Sequence, residues 1–524
     1  MRDFHLPGRS SVIASNGMCA TSHPLAAKVA VQMLEQGGNA VDAAIAAAMV
    51  LNTAEPLMTG LGGDCFVLLK PAGTEDVIGL NGSGRAPGAL NAEQIRADGY
   101  SVMPVHGVES ITLPGAVDAM VRLSKDWGKL GLKTILAPAI HYAEQGIPVA
   151  ARTAADWARN AETLHKSAKP HFLLAGTPPR EGQVFRAPLQ AEVLRRISLQ
   201  GRAGFYEGEV AKDMVASLNA LGGCHTLEDF AATSCDYVTP VSGDYRGMEL
   251  LELPPNGQGA TAILMAHILE NFDIAALDPF GAARAHLEAE AAKLAYDARN
   301  RFIADTPQRL EHMMSKDTAK KLAGLIDPKQ AMESPATLSE SVHKETVYLT
   351  VVDRDRMAVS LIYSIYYGFG SGMASNKFGI LFQNRGAGFT LEKGHPNEVS
   401  GGKRPMHTII PAMLKKDGRI LMPFGVMGGQ YQPNGHMRVL SNMVDFAMPA
   451  QQAIDGPRSF PSDGTLQLER GYSDSVRTEL EGLGHKVTTP DAPLGGAQAI
   501  LIDAENDTLH GASDPRKDGC AIGY

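Results

Sequence analysis

The stretch Glu345-Thr346-Val347-Tyr348-Leu349-Thr350-Val351-Val352-Asp353 decides the reading of this chain. A threonine, a residue that favours strands, opens a strand-like run directly after a long polar segment. Cutting the chain between Glu345 and Thr346 would make Thr346 a new N-terminus. Its hydroxyl would then be a nucleophile with its own α-amine as base, a pairing that activates an otherwise inert hydroxyl. An α-amine has a pKa of about 7.7–8.0, against roughly 10.4 for lysine, so it is substantially unprotonated near neutrality, as a general base must be. A lone Thr-Val-Tyr-Leu-Thr run is ordinarily just a strand, and here the surrounding residues reverse that reading.

Upstream, residues 327–345 run from Asp327-Pro328-Lys329-Gln330 through Ser334-Pro335 to Ser339-Glu340-Ser341, polar and poor in large apolar side chains. They are expected to form a loop or flexible tail, suited to a processing junction or an interdomain linker. Downstream the pattern is strand–turn–strand, with Arg354-Asp355-Arg356 as the turn and Met357 to Tyr367 as the return. Further strands are expected over Ile409–Leu414 and Ile420–Phe424, and a helix over Met437–Phe446. Near the start, Pro24 suits a first helical position, Gly37-Gly38 a helix stop, and Asn39 the cap of an alanine-rich second helix. Cys65–Leu69 reads as a buried strand. Helices bracketing sheets in both halves predict an α/β protein layered as an αββα sandwich. Arg284–Ile303 reads as a helix whose acids, Glu288, Glu290 and Asp297, lie on a solvated face. His286 and Glu290 make one ligand-like pair there, too few for a metal site.

The 524 residues are 44% hydrophobic and 20% charged, the balance of a soluble globular protein. A net charge of −9 argues against nucleic acid or an anionic membrane as partner. Five widely spaced cysteines, no apolar leader and no apolar run of about 18 residues predict a cytoplasmic protein with reduced thiols and no membrane span.

An ordered set of motifs resembles the γ-glutamyltransferase family of N-terminal-nucleophile hydrolases over nearly the whole chain. It comprises Ser22-His23-Pro24-Leu25-Ala26, Gly37-Gly38-Asn39-Ala40-Val41-Asp42-Ala43-Ala44, Glu55-Pro56 with Gly60-Leu61-Gly62-Gly63, Val351-Val352-Asp353, Gly368-Phe369-Gly370-Ser371-Gly372, Lys403-Arg404-Pro405, Gly428-Gly429 and Gly511-Ala512-Ser513-Asp514-Pro515-Arg516. The resemblance implies a precursor that cuts itself before Thr346. Residues 1–345 would form a large fragment and 346–524 a small one, staying associated, with a dimer of such heterodimers allowed. It further implies Thr346 as nucleophile, Ser364 as supporting hydroxyl, and the amides of Gly428 and Gly429 as oxyanion donors, with no metal or organic cofactor.

The departures from the family pattern bear on substrate. The family's Arg-Glu-Thr-Ala-Pro stretch reads Ser83-Gly84-Arg85-Ala86-Pro87, so the carboxylate-gripping arginine is displaced to Arg85. Its Asp-Asp-Phe stretch reads Ala387-Gly388-Phe389, so Gly388 replaces the aspartate that meets an α-ammonium, and Arg385 stands three residues before it. Its Ser-Ser pair reads His407-Thr408. A buried ammonium without a carboxylate is costly, whereas a guanidinium suits an anion. The expected substrate is therefore a small anionic amide without an α-ammonium. Arg385 is the expected anion partner, Arg85 a second one, and His407 and Thr408 are candidate contacts. The resemblance is nearest to the oxamate amidohydrolase-like branch, which implies hydrolysis of oxamate to oxalate and ammonia in purine and allantoin breakdown. Alternatives are a γ-glutamyl hydrolase or transferase acting on glutathione-like substrates, a glutaryl-type acylase, and an unprocessed binding or assembly protein.

Overall fold

Thr346 stands at the mouth of a strand, Val347–Val352, that is buried along its whole length and paired on both sides. It runs antiparallel to Ala358–Ser364 with Val347 opposite Tyr363, so the ladder's next step brings Thr346 to Ser364. Its other neighbour is Met18–Thr21. The computed structural model describes residues 5, 8–333 and 346–524; residues 334–345, the end of the expected tail, lie outside these.

Two seven-stranded sheets form the centre. The sheet holding Thr346 is ordered Cys520–Gly523, Met18–Thr21, Val347–Val352, Ala358–Ser364, Asp64–Lys70, Ile78–Gly82, Asp236–Val238. The other is ordered Val12–Ala14, Thr508–Ser513, Gly496–Asp503, Arg419–Met427, Ala412–Lys416, Met248–Glu252, Val241–Tyr245. Alternation along the strands sends residues to opposite faces. Tyr348, Val352 and Ile362 pack between the sheets with Phe66, Met413 and Ile500. Val347, Leu349 and Val351 face the other way, onto the helices Pro24–Glu35 and Ala40–Ala54. Helices Gly259–Leu269, Ala282–Phe302 and Gln432–Val444 cover the far face of the second sheet. The layers are helix, sheet, sheet, helix, as expected. Gly425 is required at the inter-sheet contact, because a Cβ there would fall 2.4 Å from the Tyr348 ring.

Local expectations hold at the N-terminal helices. Pro24 opens the first, and Asn39 caps the second in a capping box with Asp42. Every residue of the second helix is buried, which is why its alanines show no polar face. The later boundaries shift for identifiable reasons. The strand expected from Ile409 starts at Ala412, because Ile409 and Ile410 give their N–H groups to His407 and Gln432 side chains and Pro411 has none. The return strand stops at Ser364 because the chain turns at Tyr366, with φ +84°. The helix expected from Met437 starts at Gln432, with Pro433 in its first turn.

The acids of Ala282–Phe302 correct the expectation of a solvated face. Glu288 and Glu290 are buried, as is His286, while Asp297 is half-buried. Glu288 pairs with Arg284 and Arg438. His286, Glu290 and His485 converge, with their potential ligand atoms within 4.8 Å of one another. Each already has protein partners: His286 meets His485 and the Asp327 carbonyl, both at 2.8 Å, and Glu290 accepts from Lys293 and the Met332 N–H. These bonds tie residues 327–332, the first part of the expected tail, onto the helix. Among the described residues, no helix is long and apolar enough to cross a membrane.

Candidate active site

Thr346 and Ser364 are both buried, with Thr346 Oγ1 3.2 Å from Ser364 Oγ. Ser364 Oγ also accepts from Arg385 Nη2 at 3.3 Å and from the Tyr366 N–H at 2.9 Å. Arg385 Nη1 donates to Thr408 Oγ1 at 2.8 Å. Gln258 Nε2 donates to the carbonyls of Thr408, at 2.7 Å, and of Gly429, at 3.0 Å. One continuous hydrogen-bonded network thus joins Thr346, Ser364, Arg385, Thr408, Gln258 and Gly429. Five of the expected site residues, Thr346, Ser364, Arg385, Thr408 and Gly429, belong to it, and Gly428 adjoins.

The Gly428-Gly429 turn follows the strand Arg419–Met427. Gly428 has φ +119°, a conformation that excludes most side chains. The N–H groups of Gly428 and Gly429 donate to no acceptor among the described residues. Two adjacent unspent donors next to a hydroxyl network are the elements of an oxyanion site.

Arg385 is the electrostatic anomaly. It is fully buried, and no carboxylate among the described residues lies within ion-pair distance. Its Nε finds no acceptor, and its guanidinium stacks 3.9 Å from the centroid of Tyr366. Burial pushes the guanidinium down to about 10, so it stays charged at neutral pH. The nearby Asp64 is committed elsewhere, accepting from the N–H groups of Gly84 and Gly115, from Gln383 Nε2 and from His407 Nε2. An unpaired buried cation is costly in a finished core and reasonable where an anionic ligand completes the charge.

The other two polar candidates are engaged with protein partners. His407 uses both ring nitrogens, Nε2 at 3.0 Å from Asp64 and Nδ1 accepting from the Ile409 N–H. Burial, with Arg385 adding to it, pushes its pKa down to about 3, so the ring is neutral and holds Asp64 in place. Arg85 faces Asp236 and Asp305 in ion pairs and donates to the Gly402 carbonyl. It lines a small separate pocket with Leu113 and Asp229. The structure does not bring Arg85 to the network.

A cavity of about 640 Å³ adjoins it, bounded by Tyr366, Gly388, Gln430 and Arg299. Among its described lining residues the one acid is Glu392, which is exposed. Sequence reasoning missed Gln258 and Arg299. Gln258 sits in the run Pro254-Pro255-Asn256-Gly257-Gln258-Gly259, whose turn-rich character between a strand and a helix was the available signal. Arg299 gave none, as one arginine of a charged helix.

A layered αββα sandwich with a buried threonine at the mouth of a central strand is the architecture of an N-terminal-nucleophile amide hydrolase. The family model described as gamma-glutamyltranspeptidase matches residues 26–524, and the chain belongs to that family. It is 37% identical to the glutathione hydrolase-like YwrD proenzyme of Bacillus subtilis (strain 168), over 98% of this chain and 99% of that protein. It is 34% identical to the oxamate amidohydrolase proenzyme of Klebsiella pneumoniae, over 98% of this chain and all of that protein. Among solved structures, cephalosporin acylase from Bacillus halodurans superposes with a TM-score of 0.92 at 37% identity, covering 100% of this chain and 99% of that one.

Proposed function

We propose that the protein is a self-processing amidohydrolase whose chain is cut between Glu345 and Thr346, and that it hydrolyses a short carboxylate-bearing amide, oxamate first among them. The fragments would contain 345 and 524 − 345 = 179 residues. They would remain one body, because both sheets interleave strands from before and after the junction. Thr346 Oγ1 attacks the amide carbon while its α-amine takes the proton and passes it to the leaving ammonia. Gly428 and Gly429 hold the oxyanion, and water then releases oxalate.

The observation that carries the substrate reading is Arg385. Its guanidinium is unpaired, buried and separated from Thr346 only by the hydroxyl of Ser364, two hydrogen-bond lengths in all. That spacing suits a carboxylate attached directly to the scissile carbonyl. The similarity to an oxamate amidohydrolase agrees with it, and the five free cysteines fit a reducing, cytoplasmic setting. A glutaryl-type acylase is the second reading, supported by the size of the cavity and by the resemblance to a cephalosporin acylase. A γ-glutamyl substrate is less favoured, since its ammonium would find only the exposed Glu392 in the described lining. Ammonia release from oxamate, glutamine, glutathione and glutaryl amides tests this. Turnover of oxamate above the others is expected, and preference for glutathione or glutamine would overturn the reading.

A further inference from the structure

A second buried guanidinium lines the cavity that adjoins the network. Arg299 is 2% exposed yet forms part of the cavity wall. Among the described residues no carboxylate pairs with it. Its hydrogen-bond partners are neutral amides: Gln258 Oε1 at 2.9 Å, Gln430 Oε1, and Asn300 Oδ1 at 2.8 Å. Its planar face lies 4.6 Å from the Tyr296 ring. Burial pushes it down to about 10, as for Arg385, and the Tyr366 phenol influences both groups.

Two buried cations without a carboxylate, Arg299 on the cavity wall and Arg385 stacked behind the wall residue Tyr366, call for two anions. Arg385 stands next to the nucleophile. Arg299 stands on the cavity wall, joined through Gln258 to the Gly429 carbonyl. A single carboxylate as small as that of oxamate satisfies one of them and leaves most of 640 Å³ unused.

We propose that Arg299 binds a carboxylate on the amine side of the scissile bond, so that the enzyme also takes a doubly anionic N-oxalyl amino acid, an extended form of oxamate. This rests on the amidohydrolase reading above and extends it to the leaving group. The reaction balances without a co-reactant. Thr346 Oγ forms an ester with the oxalyl carbon as the C–N bond breaks, and the departing amine takes the proton that left the hydroxyl. Water then cleaves the ester, giving oxalate and a free amino acid. Gln258 and Gln430 both accept from Nη1 and hold the guanidinium at the cavity wall.

The test uses the processed wild-type enzyme with three compounds: oxamate, N-oxalylglycine and N-oxalylglycinamide, the last lacking only the second charge. Oxalate release is the common readout. The expected result is a kcat/KM for N-oxalylglycine at least tenfold above that for N-oxalylglycinamide, and Arg299→Gln bringing this ratio to within about twofold of one. The wild-type comparison needs no variant and decides the matter even if Arg299→Gln misfolds. Equal rates on the two glycine compounds, or an unchanged ratio in Arg299→Gln, would overturn the proposal. If those results came with ready turnover of oxamate, the second-anion proposal alone would fall. No oxalate from any of the three would overturn the oxamate-type reading with it.

Discussion

Arg385 donates from Nη2 to the hydroxyl of Ser364 at 3.3 Å, and that same hydroxyl lies 3.2 Å from Thr346 Oγ1. The proposed anion-binding group and the proposed nucleophile therefore share a single intermediary. On the proposed reading, a carboxylate bound at Arg385 would hold the substrate close to the reacting oxygen.

Replacing Arg385 by alanine should raise KM for an anionic amide roughly ten- to a hundredfold, the worth of a charge-assisted hydrogen bond of about 1.5–3 kcal/mol. Self-cleavage should suffer much less. In the intact protein KM should be steady through neutral pH and rise above about pH 10, where the guanidinium loses its proton and its attraction for an anion. Steady-state kinetics at several pH values, with gel analysis of cleavage, checks both; equal loss of cleavage and binding would make Arg385 structural.

Arg85→Ala provides the contrast. Its ion pairs with Asp236 and Asp305 are partly exposed, and such pairs contribute about 0–1 kcal/mol. KM should stay within about twofold of wild type, with a small fall in melting temperature. A large rise in KM would return Arg85 to the substrate.

His407 should make the protein acid-labile. Its folded pKa of about 3 lies below the ordinary value near 6.5, so as pH falls through that window only the unfolded chain takes up a proton. Stability from this group is full above about 6.5 and declines as pH drops. Buried Glu55, raised to about 7, acts in the opposite direction, so the comparison must be with a variant that shares it. His407→Gln keeps a side-chain amide available to Asp64 and removes the titration. The stability difference between wild type and this variant should shrink by about 2 kcal/mol from pH 6.5 to pH 5, measured by urea unfolding. A pH-independent difference would contradict a neutral His407.

Gly428→Ala should lower kcat while leaving KM nearly unchanged. At φ +119° a side chain is strained, and its Cβ would sit 2.9 Å from the Gly495 Cα, so the turn must shift. Displacing an oxyanion donor costs about 2.7–4 kcal/mol of transition-state stabilisation, or 10²–10³ in kcat. An unaffected kcat would place the oxyanion site elsewhere.

Much of this was legible in the sequence because local chemistry and fold agree there. Pro24, Asn39 and the Thr346 strand are set by capping and by strand-favouring residues, which act over a few positions. Motif order singles out Ser364, Arg385 and Thr408, and the network that unites them is built by long-range pairing. What was not legible depended on burial. The helix Ala282–Phe302 carries polar residues that in isolation suit solvent, but it is covered on several sides, so His286, Glu288 and Glu290 find partners in distant segments. Arg299 and Gln258 became visible only once the cavity and the Gly429 turn were in place. Arg85 lies apart from the network because its place in the chain does not fix its place in space.

The central claim is a backbone cut that turns Thr346 into its own base. N-terminal sequencing of the purified, active protein tests it directly. The account predicts two N-termini, one of them reading Thr-Val-Tyr-Leu and belonging to the 179-residue fragment (524 − 345), with neither cut nor activity in Thr346→Ala. Full activity from an uncut chain, or a cut at any other bond in the active material, would contradict it.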